Sequence, residues 1–126
     1  MKENTMMEIN IVEKDDVRIA IVEGEESAIR DSETALELIA NVFYEHECSR
    51  IVIYKSTISE DFFNLSTGVA GDIAQKFTNY RCHVTIVGDY SKYTSASLQA
   101  FIYECNRGNV LYFTDSIAEA IERLKR

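Results

Sequence analysis

The chain contains no proline and no tryptophan, and only five glycines, three cysteines and two histidines. Cys48, Cys82 and Cys105 are odd in number, far apart and without a C-x-x-C pair. That spacing argues against a disulfide framework or a zinc ribbon and for reduced thiols. Basic residues are few as well: 13 Lys and Arg stand against 21 Asp and Glu, a formal net charge of -8. Neutralising phosphates requires a basic patch, so neither nucleic acid nor an anionic membrane is an expected partner. No apolar run reaches the ~20 residues of a membrane span, and the start, MKENTMMEINIVEK, carries no signal-peptide stretch. The expected compartment is the cytoplasm. G-x-x-x-x-G-K-[ST] and G-x-G-x-x-G are both absent, so no cofactor is implied. No repeat, low-complexity tract or linker interrupts the sequence, and its 46% hydrophobic and 27% charged residues suit one globular domain over residues 1–126.

With glycine so scarce, the stretch Asn64 to Phe77, NLSTGVAGDIAQKF, is informative because it holds both Gly68 and Gly71. Glycine in a helix costs about 1 kcal/mol relative to alanine, so the pair suggests close backbone approach or exposed N–H groups at a helix start. Ser66 or Thr67 is placed to cap that helix, and its first-turn amides and positive dipole end would face an anion. The alternative is a plain cap with small residues packed on a sheet, and Asp72 in the first turn would repel an anion.

Hydrophobic periodicity supplies the rest of the pattern. Ile9 to Val12 and Val17 to Val22, separated by Lys14-Asp15-Asp16, read as an antiparallel hairpin. Ala35, Leu36, Ile39, Val42 and Phe43 fall at helical spacing, with Thr34 and Glu37 in capping-box register. RIVIYKS reads as a strand, followed by a helix presenting Val69, Ala70, Ile73, Ala74 and Phe77. HVTIVGDY reads as a strand, followed by a helix with Leu98, Phe101, Ile102 and Cys105 on one face and Gly108 at a left-handed C-cap. NVLYFTD is the last strand, and Ser116-x-x-Glu119 caps a helix aligning Ile117, Ala120, Ile121 and Leu124. The order ββαβαβαβα predicts an α/β sandwich with a mixed, mostly parallel sheet. Ile53, Ile73, Ile86, Phe101 and Ile121 are expected in one core.

That element order, with a helix entered through LSTGVAG after the third strand, resembles the STAS domain of anti-sigma-factor antagonists. The resemblance implies a STAS-like fold and a phosphoacceptor at Ser66, with Thr67 as its neighbour; Leu65 stands where that family has aspartate. DFFNLSTGVAGDIAQKF, NYR, VTIVGDYSKYTS and FIYECNRG also resemble a small bacterial family of single-domain proteins of unknown function. There the matching element is Thr67-Gly68-x-Ala70-Gly71, which favours Thr67.

In sheets of this kind, ligands and partners meet the loops beyond the carboxyl ends of the strands. Those loops hold Lys55, Phe63, Ser66, Thr67, Gly68, Asp89, Tyr90, Lys92 and Tyr93, with Gly71 on the adjoining helix. Phe62 and Phe63 should include one core anchor, leaving an aromatic patch with the tyrosines, beside lysines able to hold an acidic group. The histidines, His46 and His83, precede strands and so fall at the opposite sheet end, which argues against a Ser-His-Asp site. Asp89 and Asp115 are carboxylates at strand ends that serve either Mg²⁺ or turns. His46, Cys48, Cys82, His83 and Cys105 have zinc-ligand chemistry, but their spacing matches no zinc module, and no metal is expected. The expectation is a non-enzymatic regulatory or protein-interaction domain, with a homodimer also open. The alternative is a small enzyme or sensor in which Thr67, the amides near Gly68, Asp89 and Lys92 contact a small anionic ligand.

Overall fold

The computed structural model describes residues 7–126. Residues 1–6, part of the stretch read as lacking a signal peptide, lie outside the described residues. Strands β1 (Met7–Lys14) and β2 (Val17–Gly24) form the expected hairpin, paired from Met7↔Gly24 to Lys14↔Val17. Asp15 and Asp16 turn the chain with φ of 52° and 66°. Aspartate tolerates that left-handed region, and a two-residue turn of this kind matches the twist of paired strands.

Four helices and three further strands follow: α1 (Ser32–His46), β3 (Arg50–Tyr54), α2 (Val69–Asn79), β4 (His83–Val87), α3 (Ala96–Arg107), β5 (Leu111–Thr114) and α4 (Ile117–Leu124). The sheet runs in sequence order β1-β2-β3-β4-β5, antiparallel at the hairpin and parallel thereafter. Right-handed crossovers between sequential parallel strands put every connecting helix on one face. Accordingly, α1, α2 and α3 share a core with Ala20, Val22, Ile51, Ile53, Val84, Ile86, Leu111 and Phe113. The final helix, α4, has no further strand to reach and covers the other face, where Ala120 and Leu124 pack on Ile19, Val52 and Val87. No helix among the described residues is long and apolar enough to cross a membrane.

The single core expected from sequence is therefore two, and Ile121 belongs to the second, partly buried, while Ile53, Ile73 and Ile86 are fully enclosed in the first. Three local expectations also change. The capping box of α1 is formed by Asp31 and Thr34, three positions earlier than Thr34 and Glu37, because Asp31 Oδ1 accepts the Thr34 N–H and Thr34 Oγ1 accepts the Asp31 N–H. Phe43 is 55% exposed, and Leu38 takes the core position instead. Gly108 has φ of -96° and ψ of -159°, an extended rather than left-handed ending for α3.

Candidate functional site

Between β3 and α2 the chain makes three short 3-10 turns, Lys55–Thr57, Glu60–Phe63 and Leu65–Thr67. Side chains that imitate backbone acceptors build them. Ser59 Oγ accepts the Asp61 N–H, and Asn64 Oδ1 accepts the Ser66 N–H. Gly68, at φ 81°, then reverses the chain into α2, whose first residue is Val69. Ser66 and Thr67 thus occupy the turn before the helix, and Gly68 itself is the N-cap, without a side-chain cap. Both Phe62 and Phe63 are buried, so this segment is pinned to the core by two rings rather than one.

A connected cluster sits on those rings at the carboxyl end of the sheet. The Tyr93 ring lies nearly flat on Phe63, 5.1 Å between centroids and 18° between planes. Its hydroxyl donates to the Glu60 carboxylate at 2.9 Å, and the Lys55 and Lys92 ammonium groups lie 3.2 and 3.5 Å from the same carboxylate. Lys55 Nζ also stands 4.9 Å from the centroids of both Phe63 and Tyr93. The Lys55 stem crosses directly over Gly88, where a Cβ would lie 2.4 Å from Lys55 Cβ, so glycine is required by close approach at this position. Burial raises the Glu60 pKa somewhat, but the Tyr93 hydroxyl and the two lysines outweigh it and hold the carboxyl below its ordinary value. Burial and the Glu60 carboxylate push the Tyr93 phenol up to about 12.

The cluster is continuous with the hydroxyl-bearing turn. Thr67 Oγ1 donates toward the carbonyls of Asp61, at 2.7 Å, and Asn64, at 2.9 Å, and accepts the Val69 N–H. Ser66 Oγ donates to Asn64 Oδ1 at 2.7 Å. Ser66, Thr67, Gly68 and Gly71 are all exposed. A Cβ at Gly68 or Gly71 would meet nothing within 4 Å, so the close backbone approach expected from the glycine pair is absent: Gly68 serves its positive φ, and Gly71 has no steric role.

The remaining loop residues divide. Tyr90 folds inward, its ring edge-on to Phe113 at 5.6 Å and its hydroxyl donating to the Ile86 carbonyl at 2.6 Å. Burial raises its phenol pKa far above the ordinary value. Asp89 makes a turn, accepting the Ser91 N–H, and that hydrogen bond lowers its carboxyl pKa. Thr114 and Tyr112 donate to Glu119, leaving only half of the capping box expected at α4, the Glu119 N–H on Ser116 Oγ.

At the opposite sheet end, His46 closes α1 and His83 opens β4, as expected. Among the described residues no three His, Cys, Asp or Glu side chains gather as a metal group. Burial pushes the Cys82 and Cys105 thiols up to about 11, which keeps them protonated and unreactive near neutral pH.

Sequence comparison places this geometry in a family. Residues 14–124 match the family described as a domain of unknown function, DUF4180. The chain belongs to that family. Among curated proteins none matches it. The DUF4180 match takes in β2 through α4 and therefore the whole of the Lys55–Glu60–Tyr93 cluster, while β1 lies almost entirely before it.

Proposed function

We propose that this DUF4180 chain is a non-enzymatic regulatory domain that docks a protein partner on the carboxyl end of its sheet. The observation that carries the reading is the mutual commitment of the charged groups there. Glu60 receives the Tyr93 hydroxyl and both lysines, so its carboxylate is fully committed and the cluster is fixed, with one positive charge in excess, before any partner arrives. Tyr93 is held by stacking on Phe63, and a pre-ordered tyrosine offers contact area at low entropy cost, as anchors in protein interfaces do. Exposed Ser66, Thr67 and Lys92 border it and supply polar rim contacts. The resemblance of the element order to STAS domains, which work by binding partners, supports the same reading.

The test is site-specific photocrosslinking in the native host. A photoreactive residue at position 92 captures a discrete partner, and one at position 45, on the exposed face of α1, does not. Equal capture at both positions, or none at 92, refutes the reading.

Phosphorylation is the regulatory device that the same surface favours, at Ser66 ahead of Thr67. Among the described residues Ser66 Oγ has one side-chain partner, whereas Thr67 Oγ1 is shared among three backbone groups whose loss would loosen the turn. A phosphate would add about -1.5 to -2 charges to this turn and repel an acidic partner. Phosphopeptide mapping of protein from the host across growth phases finds phosphate on Ser66 if this is correct; persistent absence from both residues rejects it.

A further inference from the structure

The amino end of the sheet, opposite the proposed docking face, carries a cleft of about 470 Å³ on the side covered by α4. Arg50 and His83 open neighbouring strands and are register partners, so their side chains stand side by side on that face. Thr85 lies one step further along β4 on the same face, the last turns of α3 and α4 bring in Arg107 and Arg123, and Arg126 follows just beyond α4. Four of the chain's arginines thus line one cleft, and among the described residues no Asp or Glu lines it, in a protein with 21 acidic residues. Among the described residues, the ion pairs involve Arg18, Lys55, Lys92 and Lys125, and none involves these four arginines.

Part of this arrangement has an internal purpose. The Arg123 guanidinium donates to the Asn106 and Gly108 carbonyls at the end of α3 and lies 4.0 Å over the Tyr112 ring. His83 Nδ1 is hydrogen-bonded to the Asn109 carbonyl at 2.6 Å and therefore carries the proton there. Glu119, a turn before Arg123, is held away by the Tyr112 and Thr114 hydroxyls. Among the described residues Arg50 has no side-chain partner, and Arg107 has only the Tyr103 ring, 5.6 Å away. At the floor of the cleft the Thr85 hydroxyl is completely buried and has no hydrogen-bond partner, although buried polar groups are nearly always paired.

We propose that this cleft binds a small molecule carrying a phosphoanhydride or closely spaced phosphates, with Arg50 and Arg107 pairing to phosphate oxygens. Guanidinium forks match phosphate oxygens two at a time, and a wall of donors without carboxylates favours a ligand of two or more negative charges. The net negative charge of the chain does not oppose this, because the acidic residues lie elsewhere and the cleft presents its own local field.

Isothermal titration of the full chain with pyrophosphate and with ADP, read beside amide NMR, tests the proposal. Pyrophosphate or ADP binds with Kd below about 1 mM and shifts the amides of Arg50, His83 and Thr85. Binding of both assigns the site to the phosphates, and binding of ADP alone adds recognition of the nucleoside. Arg50→Gln and Arg107→Gln each weaken binding roughly tenfold to a hundredfold, and Arg30→Gln, outside the cleft, leaves it unchanged. The proposal fails if neither phosphate compound binds, if citrate binds as tightly, if the arginine substitutions leave affinity unchanged, or if only an RNA oligonucleotide binds. Loss of the partner crosslink at position 92 has no bearing on these outcomes, since the two sites occupy opposite ends of the sheet.

Discussion

Replacing Gly88 by alanine probes the cluster at its tightest point. The new Cβ would lie 2.4 Å from Lys55 Cβ and 2.8 Å from Lys55 Cδ, against an ordinary carbon–carbon separation of about 3.5–4 Å. A change of Lys55 rotamer moves Cδ but not Cβ, which is fixed to the backbone where β3 ends. The backbone beyond Tyr54 and Val87, paired neighbours in the sheet, must therefore separate by more than about 1 Å. Overpacking of this kind costs about 1–3 kcal/mol. Displacing the Lys55 ammonium from Glu60 and from the two rings adds about 1 kcal/mol, for a total of about 2–4 kcal/mol. Urea denaturation should show this as a lower midpoint at unchanged slope. The Lys55→Gly, Gly88→Ala pair should lose much less than the sum of the single changes, with a coupling of at least about 1 kcal/mol. Additive losses, or a Gly88→Ala cost below about 0.5 kcal/mol, would refute the close-approach argument.

Gly71→Ala should stabilise the protein by about 0.5–1 kcal/mol, because nothing crowds the position and alanine is the better helix former; destabilisation in the same urea assay would contradict the open geometry. Ile73→Ala should cost about 2–5 kcal/mol and Ile121→Ala only about 1–2 kcal/mol, since the first is enclosed between α2 and the sheet and the second lies half-covered on the other face; equal costs would erase the distinction between the two cores. The lowered Glu60 pKa makes a signed prediction. Its stabilisation is complete above the ordinary carboxylate pKa of about 4.3 and is lost as pH falls through the lower folded value. The stability gap between the wild type and Glu60→Gln should therefore close on acidification, and a gap constant to the acid limit would show that the carboxylate charge is not what the lysines and Tyr93 hold.

The order of elements was legible because it rests on periodicity, which survives without tertiary information. Ile73 and Phe77 fall on one helical face, and Ile51, Ile53 and Val84, Ile86 alternate along strands, whatever lies beside them. Caps were legible only in part. Asp31, Thr34 and Glu37 offer two overlapping boxes, and the choice depends on where Asp31 leaves the helical conformation. The loop aromatics have no period to expose their direction, so nothing in the sequence separates inward Tyr90 from outward-edged Tyr93. Glu60 is one acidic residue in an acidic chain, distinguished only when folding places it between two lysines 5 and 32 positions away. Gly88 is required because β3 and β4 end in register, a property of strand pairing rather than of local sequence. The same holds for the arginine cleft: Arg50, Arg107 and Arg123 are far apart in the chain and meet only where strand beginnings adjoin helix ends.

The docking face is tested by hydrogen–deuterium exchange on the unmodified chain mixed, without crosslinking, with the partner that the crosslink identifies, compared with the chain alone. Slowed exchange is expected at residues 60–69 and 89–93, the turn and loop that carry Glu60, Ser66, Thr67, Lys92 and Tyr93. Protection confined to the other end of the sheet, around Phe43, Tyr44 and Tyr80, with residues 60–69 exchanging as in the free chain, would contradict it.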